Sequence, residues 1–266
     1  AGDDLKGLTL AGVGSGTSIQ YVQIHNNGDD GIEIFGGRVN LKNYIITGAF
    51  DDSLDCDSGW TGVAQFGLII QRLYSVTGGP DSLVECSNHP GVSSPSTIGQ
   101  TRPIIANFTF IGQPLNGGGG SIRGVAFDQS GGGAPGSSGR LFNGIVTGST
   151  RCLSGSTADN SAGRGAGDFA TITANSVLFD CPGAYSAEAS GIIAAGTNNS
   201  TAVAKTLQLA LAPRVANTTQ FDTRFVNGAT ETARTHFDLT TLGNPALTPT
   251  TYIGAVRDTS DNWWRG

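Results

Sequence analysis

The chain has 266 residues, a formal net charge of −6 and 41 glycines. Charged residues make up only 14%, against about 25% in an average domain, and the acidic balance excludes a general binder of phosphate backbones. No apolar run is long enough to cross a membrane as a helix, and the abundance of Gly, Asn, Asp, Ser and Thr argues for many tight turns rather than a helical protein.

Residues 5–13 read as a strand from the start, with no capping segment before them. A solenoid end left bare exposes an open edge, so the expectation is a trimmed N-terminal portion or a second chain covering this end. Residues 19–59 then say nearly the same thing twice. Ile19, Val22, Ile24, Ile32 and Ile34 align without a gap with Leu41, Tyr44, Ile46, Leu54 and Cys56, and Gly59 falls on Gly37. Each pair is 22 residues apart. A repeat of this length marks a solenoid whose units bury their faces by stacking. The spacing of a leucine-rich repeat is missing, and short Ile/Val/Tyr strands between Gly/Asn/Asp turns predict an all-β, right-handed parallel β-helix.

Further strands are predicted over residues 66–74, 104–111, 122–127, 141–146 and 170–179, with low-complexity loops at 88–101, 117–120, 131–139 and 154–167. The pattern changes at Ser186. Residues 1–185 are expected to form the coils, and 186–266 the terminal coils with a capping or exchanged segment, all in one domain. Residues 202–212 read equally as helix or strand, and 220–227 as strand. Trp263 and Trp264 are expected to cap the last coil. Cys56 and Cys86, and Cys152 and Cys181, are spaced to meet on neighbouring coils, within disulfide range; buried free thiols are the alternative.

Asp29, Asp30 and Glu33 on one coil lie over Asp51, Asp52, Asp55 and Asp57 on the next. Like charges stacked at strand spacing repel. A Ca²⁺ ion held by these seven carboxylates would relieve that repulsion; Asx turns, in which each Asp serves its own backbone, are a second reading, and catalysis a third. Residues 27–32, Asn-Gly-Asp-Asp-Gly-Ile, resemble the Gly-Asp-Asp segment of polygalacturonases, which supplies acid and base. That family's Gly-His-Gly and Arg-Ile-Lys segments are missing, and His25, His89 and His236 have no such context. A pectate-lyase reading needs a basic group beside the carboxylates, for which Arg38 and Arg72 are the nearby choices.

The segments Gly7-Leu8-Thr9-Leu10, Asp29-Asp30-Gly31-Ile32-Glu33, Asp51-Asp52-Ser53-Leu54-Asp55 and Tyr252-Ile253-Gly254-Ala255-Val256 resemble a group of exported bacterial proteins, known chiefly as hypothetical proteins or lipoproteins. The resemblance implies a β-helix, export to the cell surface or beyond, and a chain trimmed at both ends; it implies no activity. The absence of Met and the Ser/Thr/Asn/Gly-rich surface agree with an exported chain.

Three functions stay open. The leading expectation is a structural or adhesive surface protein without enzymatic activity, polymerising head-to-tail with its own copies or binding cell-surface glycans, with residues 252–266 as the exchanged plug. The alternatives are a polysaccharide lyase or glycoside hydrolase using Asp29, Asp30, Asp51, Asp52 and Asp55, and a calcium-dependent glycan-binding module.

Overall fold

The computed structural model describes residues 5–72, 82–88, 99–112, 123–130, 136–154, 164–166, 168–209 and 224–265. The predicted loops at 117–120 and parts of those at 88–101, 131–139 and 154–167 lie outside them, as do His89, Ile122 and residues 210–212 of the 202–212 stretch.

The chain is a parallel β-helix of two sheets. The first holds β1 (Leu8–Ala11), β3 (Ile32–Phe35), β5 (Leu54–Asp57), β7 (Ser82–Cys86), β9 (Arg123–Ser130) and β11 (Arg151–Ser154) in that order. β12 (Arg164–Ala166) joins it antiparallel to β9. The second holds β2 (Ser18–His25), β4 (Asn40–Thr47), β6 (Val63–Ile70), β8 (Ile104–Ile111), β10 (Arg140–Thr147) and β13 (Thr173–Asp180). Successive strands alternate between the sheets, so each coil contributes one strand to each.

The five expected stacking pairs all form: Ile19 on Leu41, Val22 on Tyr44 and Ile24 on Ile46, Ile32 on Leu54 and Ile34 on Cys56. Register is enforced because a one-residue slip would turn every apolar side chain of a strand outward. The columns continue through Val84, Val125 and Leu153 on the first sheet. On the second they continue through Ile69, Phe110, Val146 and Phe179. Each such fully buried side chain contributes about 1.5–3 kcal/mol. Large rings alternate with glycine where the core is narrow: a Cβ at Gly144 would overlap the Phe108 ring. Both expected disulfides are present, with Cα–Cα distances of 4.5 Å for Cys56–Cys86 and 5.5 Å for Cys152–Cys181.

The second sheet is bent along one column. Tyr21, Asn43, Phe66, Asn107, Asn143 and Ser176, one in the middle of each strand, all have φ between 47° and 58°. Left-handed backbone is tolerated best by Asn among residues with a side chain, which accounts for three of the six. The bend reverses the inward–outward alternation, so each strand has two short halves and the outer surface has two facets. Outward Leu68, Ile111, Ile145 and Leu178 form a second core with Leu207, Phe225, Val226, Ile253 and Val256. Outward Val63, Ile104 and Phe142 form a third with Leu239 and Leu247. With both faces covered, every residue of β6 and β8 is buried.

The C-terminal part carries a cap, supplied by a helix and not by the aromatic segment. Residues 187–195 form a helix, α1 (Ala187–Ala195), capped by Ser186, whose hydroxyl accepts from Ala189 N. Ala189 and Ile192 are buried in the main core, so this helix covers the coil stack beyond β13. The segment at 252–265 is neither a cap over the last coil nor a plug at an end. It lies along the flank of its own chain: Asn107 Nδ2 donates to Tyr252 O, Ala255 N to Thr109 Oγ1 and Gly254 N to Asn143 O. The ambiguous region holds β14 (Gln208–Leu209), paired with β15 (Arg224–Val226), inside the stretch expected to be a strand. No helix among the described residues is long and apolar enough to cross a membrane.

Candidate active site

Asp29 and Asp30 stand in the turn after β2, and Asp51 and Asp52 in the equivalent turn one coil on. Glu33 and Asp55 are register partners on β3 and β5. The turns are held tightly: a Cβ on Gly31 would meet Ser53 O at 2.6 Å, so the backbones of the two coils approach as only glycine permits.

The stacking brings together Asp29, Asp30 and Asp51 as one cluster and Asp30, Glu33 and Asp55 as a second, with one carboxylate oxygen from each member within 4.8 Å of the others. Asp30 belongs to both. It is buried, and its Oδ1 accepts from Asp52 N at 2.9 Å, a bond that ties the two coils. Asp52 is buried beside the cluster without joining either triad. Asp57 also stands outside; its carboxylate accepts the N–H of Ser58. Asp57 thus bonds its own neighbouring backbone, while Asp30 braces the neighbouring coil.

A basic partner that the sequence reading did not name is Lys6. Its Nζ lies 2.7 Å from Asp29 Oδ2, 2.8 Å from Asp30 Oδ2 and 3.6 Å from Glu33 Oε2. Arg38 is exposed and makes no ion pair with the cluster. Burial works to lower the Lys6 pKa, but hydrogen bonds to Asp29 and Asp30 and the charges of Asp30 and Glu33 outweigh it and hold the ammonium far above its ordinary range. Lys6 is a fixed cation here and not a base.

One ammonium does not neutralise the whole group. Burial raises the pKa of Asp30 and of Glu33 against the opposing pull of Lys6. Asp55 is raised furthest, by burial first and then by the negative charges of Asp52, Asp30, Glu33 and Asp57. Asp55 Oδ1 is sealed from solvent without a hydrogen-bond partner, and Glu33 Oε2 is sealed beside the Lys6 ammonium. In a carboxyl so placed the ionised form is disfavoured, and a cation at hand would relieve it. Asp51, by contrast, is exposed at the rim, and the Glu33 side chain keeps 9% of its surface open.

The column of Glu33 and Asp55 continues to Glu85. There the charge is met differently, because Arg123 pairs with Glu85 and, at 2.6 Å, with Asp128, all three buried. His25 contacts Thr47 Oγ1 at 2.6 Å through Nδ1 and takes no part in the cluster.

A family model described as pectate-lyase like beta helix domain matches residues 1–181. No curated protein and no solved structure matches the chain.

Proposed function

The chain belongs to the family of pectate-lyase-like β-helix domains, and from that membership and the carboxyl cluster we propose that it degrades polysaccharide by hydrolysis outside the cell. The observation that carries this reading is the pairing of a buried trio whose ionised forms are disfavoured, Asp30, Glu33 and Asp55, with an exposed carboxylate, Asp51, that shares Asp30 as neighbour. Two carboxyl groups whose environments differ in this way supply an acid and a base. Glu33, the member of the trio open to solvent, gives its proton to the glycosidic oxygen as the C–O bond breaks. Asp51 takes a proton from the water whose oxygen bonds to the anomeric carbon. Solvent then returns the proton from Asp51 to the trio. Asp55 holds the cluster's proton in place and is a positioning residue.

Hydrolysis is preferred to β-elimination because two carboxyl groups in unlike environments match its acid and its base. The experiment is incubation with a panel of polysaccharides, reading reducing ends alongside the ultraviolet absorbance of unsaturated products. Hydrolysis gives the first without the second, and Asp51→Asn abolishes it. Unsaturated products, or activity intact in Asp51→Asn, would overturn the assignment.

A second reading concerns Ca²⁺. Asp55 Oδ1, buried without a hydrogen-bond partner, and the carboxylates of Asp30 and Glu33 beside it form an all-oxygen donor set that suits a hard cation. When bound, the ion would neutralise the trio and offer a contact to an anionic sugar. The reading then becomes a calcium-dependent glycan-binding module, and retained glycan binding without turnover, lost on chelation, is the outcome that favours it. The two disulfides agree with an extracellular site of action. Head-to-tail assembly has less support, because residues 252–265 are engaged within their own chain.

A further inference from the structure

The flank of the second sheet carries a groove away from the carboxyl cluster, where Trp263 and Trp264 lie against β2 and β4. It encloses about 350 Å³, within the size range of small-ligand sites. Its aromatic walls are Tyr21, Trp263 and Trp264, and its polar groups are the carboxamides of Gln23, Asn43 and Asn262. None of the lining side chains is charged.

The aromatics are held as platforms. Trp264 Nε1 donates to Asp261 O at 2.8 Å and Trp263 Nε1 to Ala255 O at 3.1 Å, so neither indole needs a further partner. Phe225 meets Trp264 edge-on, with ring centroids 5.0 Å apart, and the Arg265 guanidinium lies 5.0 Å from the same ring. Tyr21 is the odd member of the left-handed column. Its equivalent Phe66 is buried, whereas Tyr21 is 67% exposed at φ 56°. A bulky residue in this backbone region is disfavoured, and neither core packing nor a hydrogen bond accounts for Tyr here rather than the Asn found at position 43.

We infer that this groove binds an uncharged oligosaccharide chain, stacked by its sugar faces on Tyr21 and Trp263 and hydrogen-bonded through its hydroxyls to Gln23, Asn43 and Asn262. Aromatic faces match the apolar C–H faces of a pyranose, and carboxamides both donate and accept towards hydroxyls. A polyuronate would need cations to meet its carboxylates, and the lining has none. The inference does not depend on the acidic cluster being catalytic.

The test is titration of the whole chain with neutral hexasaccharides of β-linked glucose, xylose and mannose, with hexagalacturonate as the charged comparison, followed by tryptophan fluorescence and calorimetry. At least one neutral sugar gives a saturable change. Tyr21→Asn, which suits the left-handed backbone, and Trp263→Ala each weaken it about tenfold. Trp263→Ala also lowers the melting temperature through its lost packing and hydrogen bond, so the readout is Tyr21→Asn, which leaves it unchanged, and Trp263→Phe, which restores part of the binding; Asp51→Asn leaves binding intact. Failure of every neutral sugar, equal binding of hexagalacturonate, or a signal that follows protein concentration alone would overturn the inference. The last of these would mean a second copy in the groove.

Discussion

Glu33 lies over Asp55 in register, and with Asp30 the two hold carboxyl oxygens within 4.8 Å of one another. Repetition of the 22-residue unit sets acid on acid, and the fold places the Lys6 ammonium on the Glu33 side of the pair. Asp55 is left facing only like charge.

Stability should therefore fall as pH rises. The folded-state pKa of Asp55 lies well above its ordinary value, so its contribution is fully present below about pH 3.9 and is lost as pH climbs through the raised value. Asp55→Asn removes this penalty. Its melting temperature at neutral pH should exceed that of the wild type by several degrees, about 1–2 kcal/mol, and the two should converge in acid. An Asn variant that melts lower at neutral pH would refute the assignment.

Removal of Lys6 acts in the opposite direction. Lys6→Met leaves Asp29, Asp30 and Glu33 without their cation, and should cost about 1–3 kcal/mol at neutral pH. Denaturant unfolding at neutral and acidic pH checks this, since protonation of the carboxyls in acid should shrink the difference.

The buried triad at the other end of the column is a stronger contact. Arg123→Met strands Glu85 and Asp128 in the interior, a change worth about 3–5 kcal/mol. Chemical denaturation should show it, and the double variant Glu85→Gln with Arg123→Met should recover part of the loss.

Asn143 anchors the flanking segment from within the sheet. Its Nδ2 donates to Phe237 O at 3.0 Å and its Oδ1 accepts from Phe237 N at 2.6 Å, on a backbone at φ 52°. Asn143→Ala should destabilise by about 2 kcal/mol. Limited proteolysis should then cut within residues 237–265 before the coils.

Much of this was legible in the sequence because the first two coils align without a gap. Equal spacing fixed the stacking of Ile32 on Leu54, and with it Glu33 on Asp55. Lys6 was not legible: it precedes β1, and only the pairing of β1 with β3 brings it to the carboxylates. Its signal was Gly7, which takes the place of Gly31 on the coil below; a Cβ there would meet Gly31 O at 2.6 Å. The bend was present as Asn43, Asn107 and Asn143, each inside an apolar strand where Asn is disfavoured, but backbone handedness does not follow from periodicity. α1 was missed because its apolar positions do not form a single stripe, so nothing in 187–195 marks a face. The flanking packing of 252–265 depends on contacts more than 140 residues away in sequence, which no local pattern encodes.

The most direct test of the central claim, a stored proton at Asp55 poised for acid catalysis, is a pH titration of the side-chain carboxyl ¹³C resonances, with Asp55→Asn used for assignment. The account predicts that the Asp55 signal titrates far above the ordinary carboxylate range in metal-free protein, and that saturating Ca²⁺ moves it down if the ion binds there. An Asp55 resonance already ionised near pH 4, in the absence of divalent cations, would contradict it.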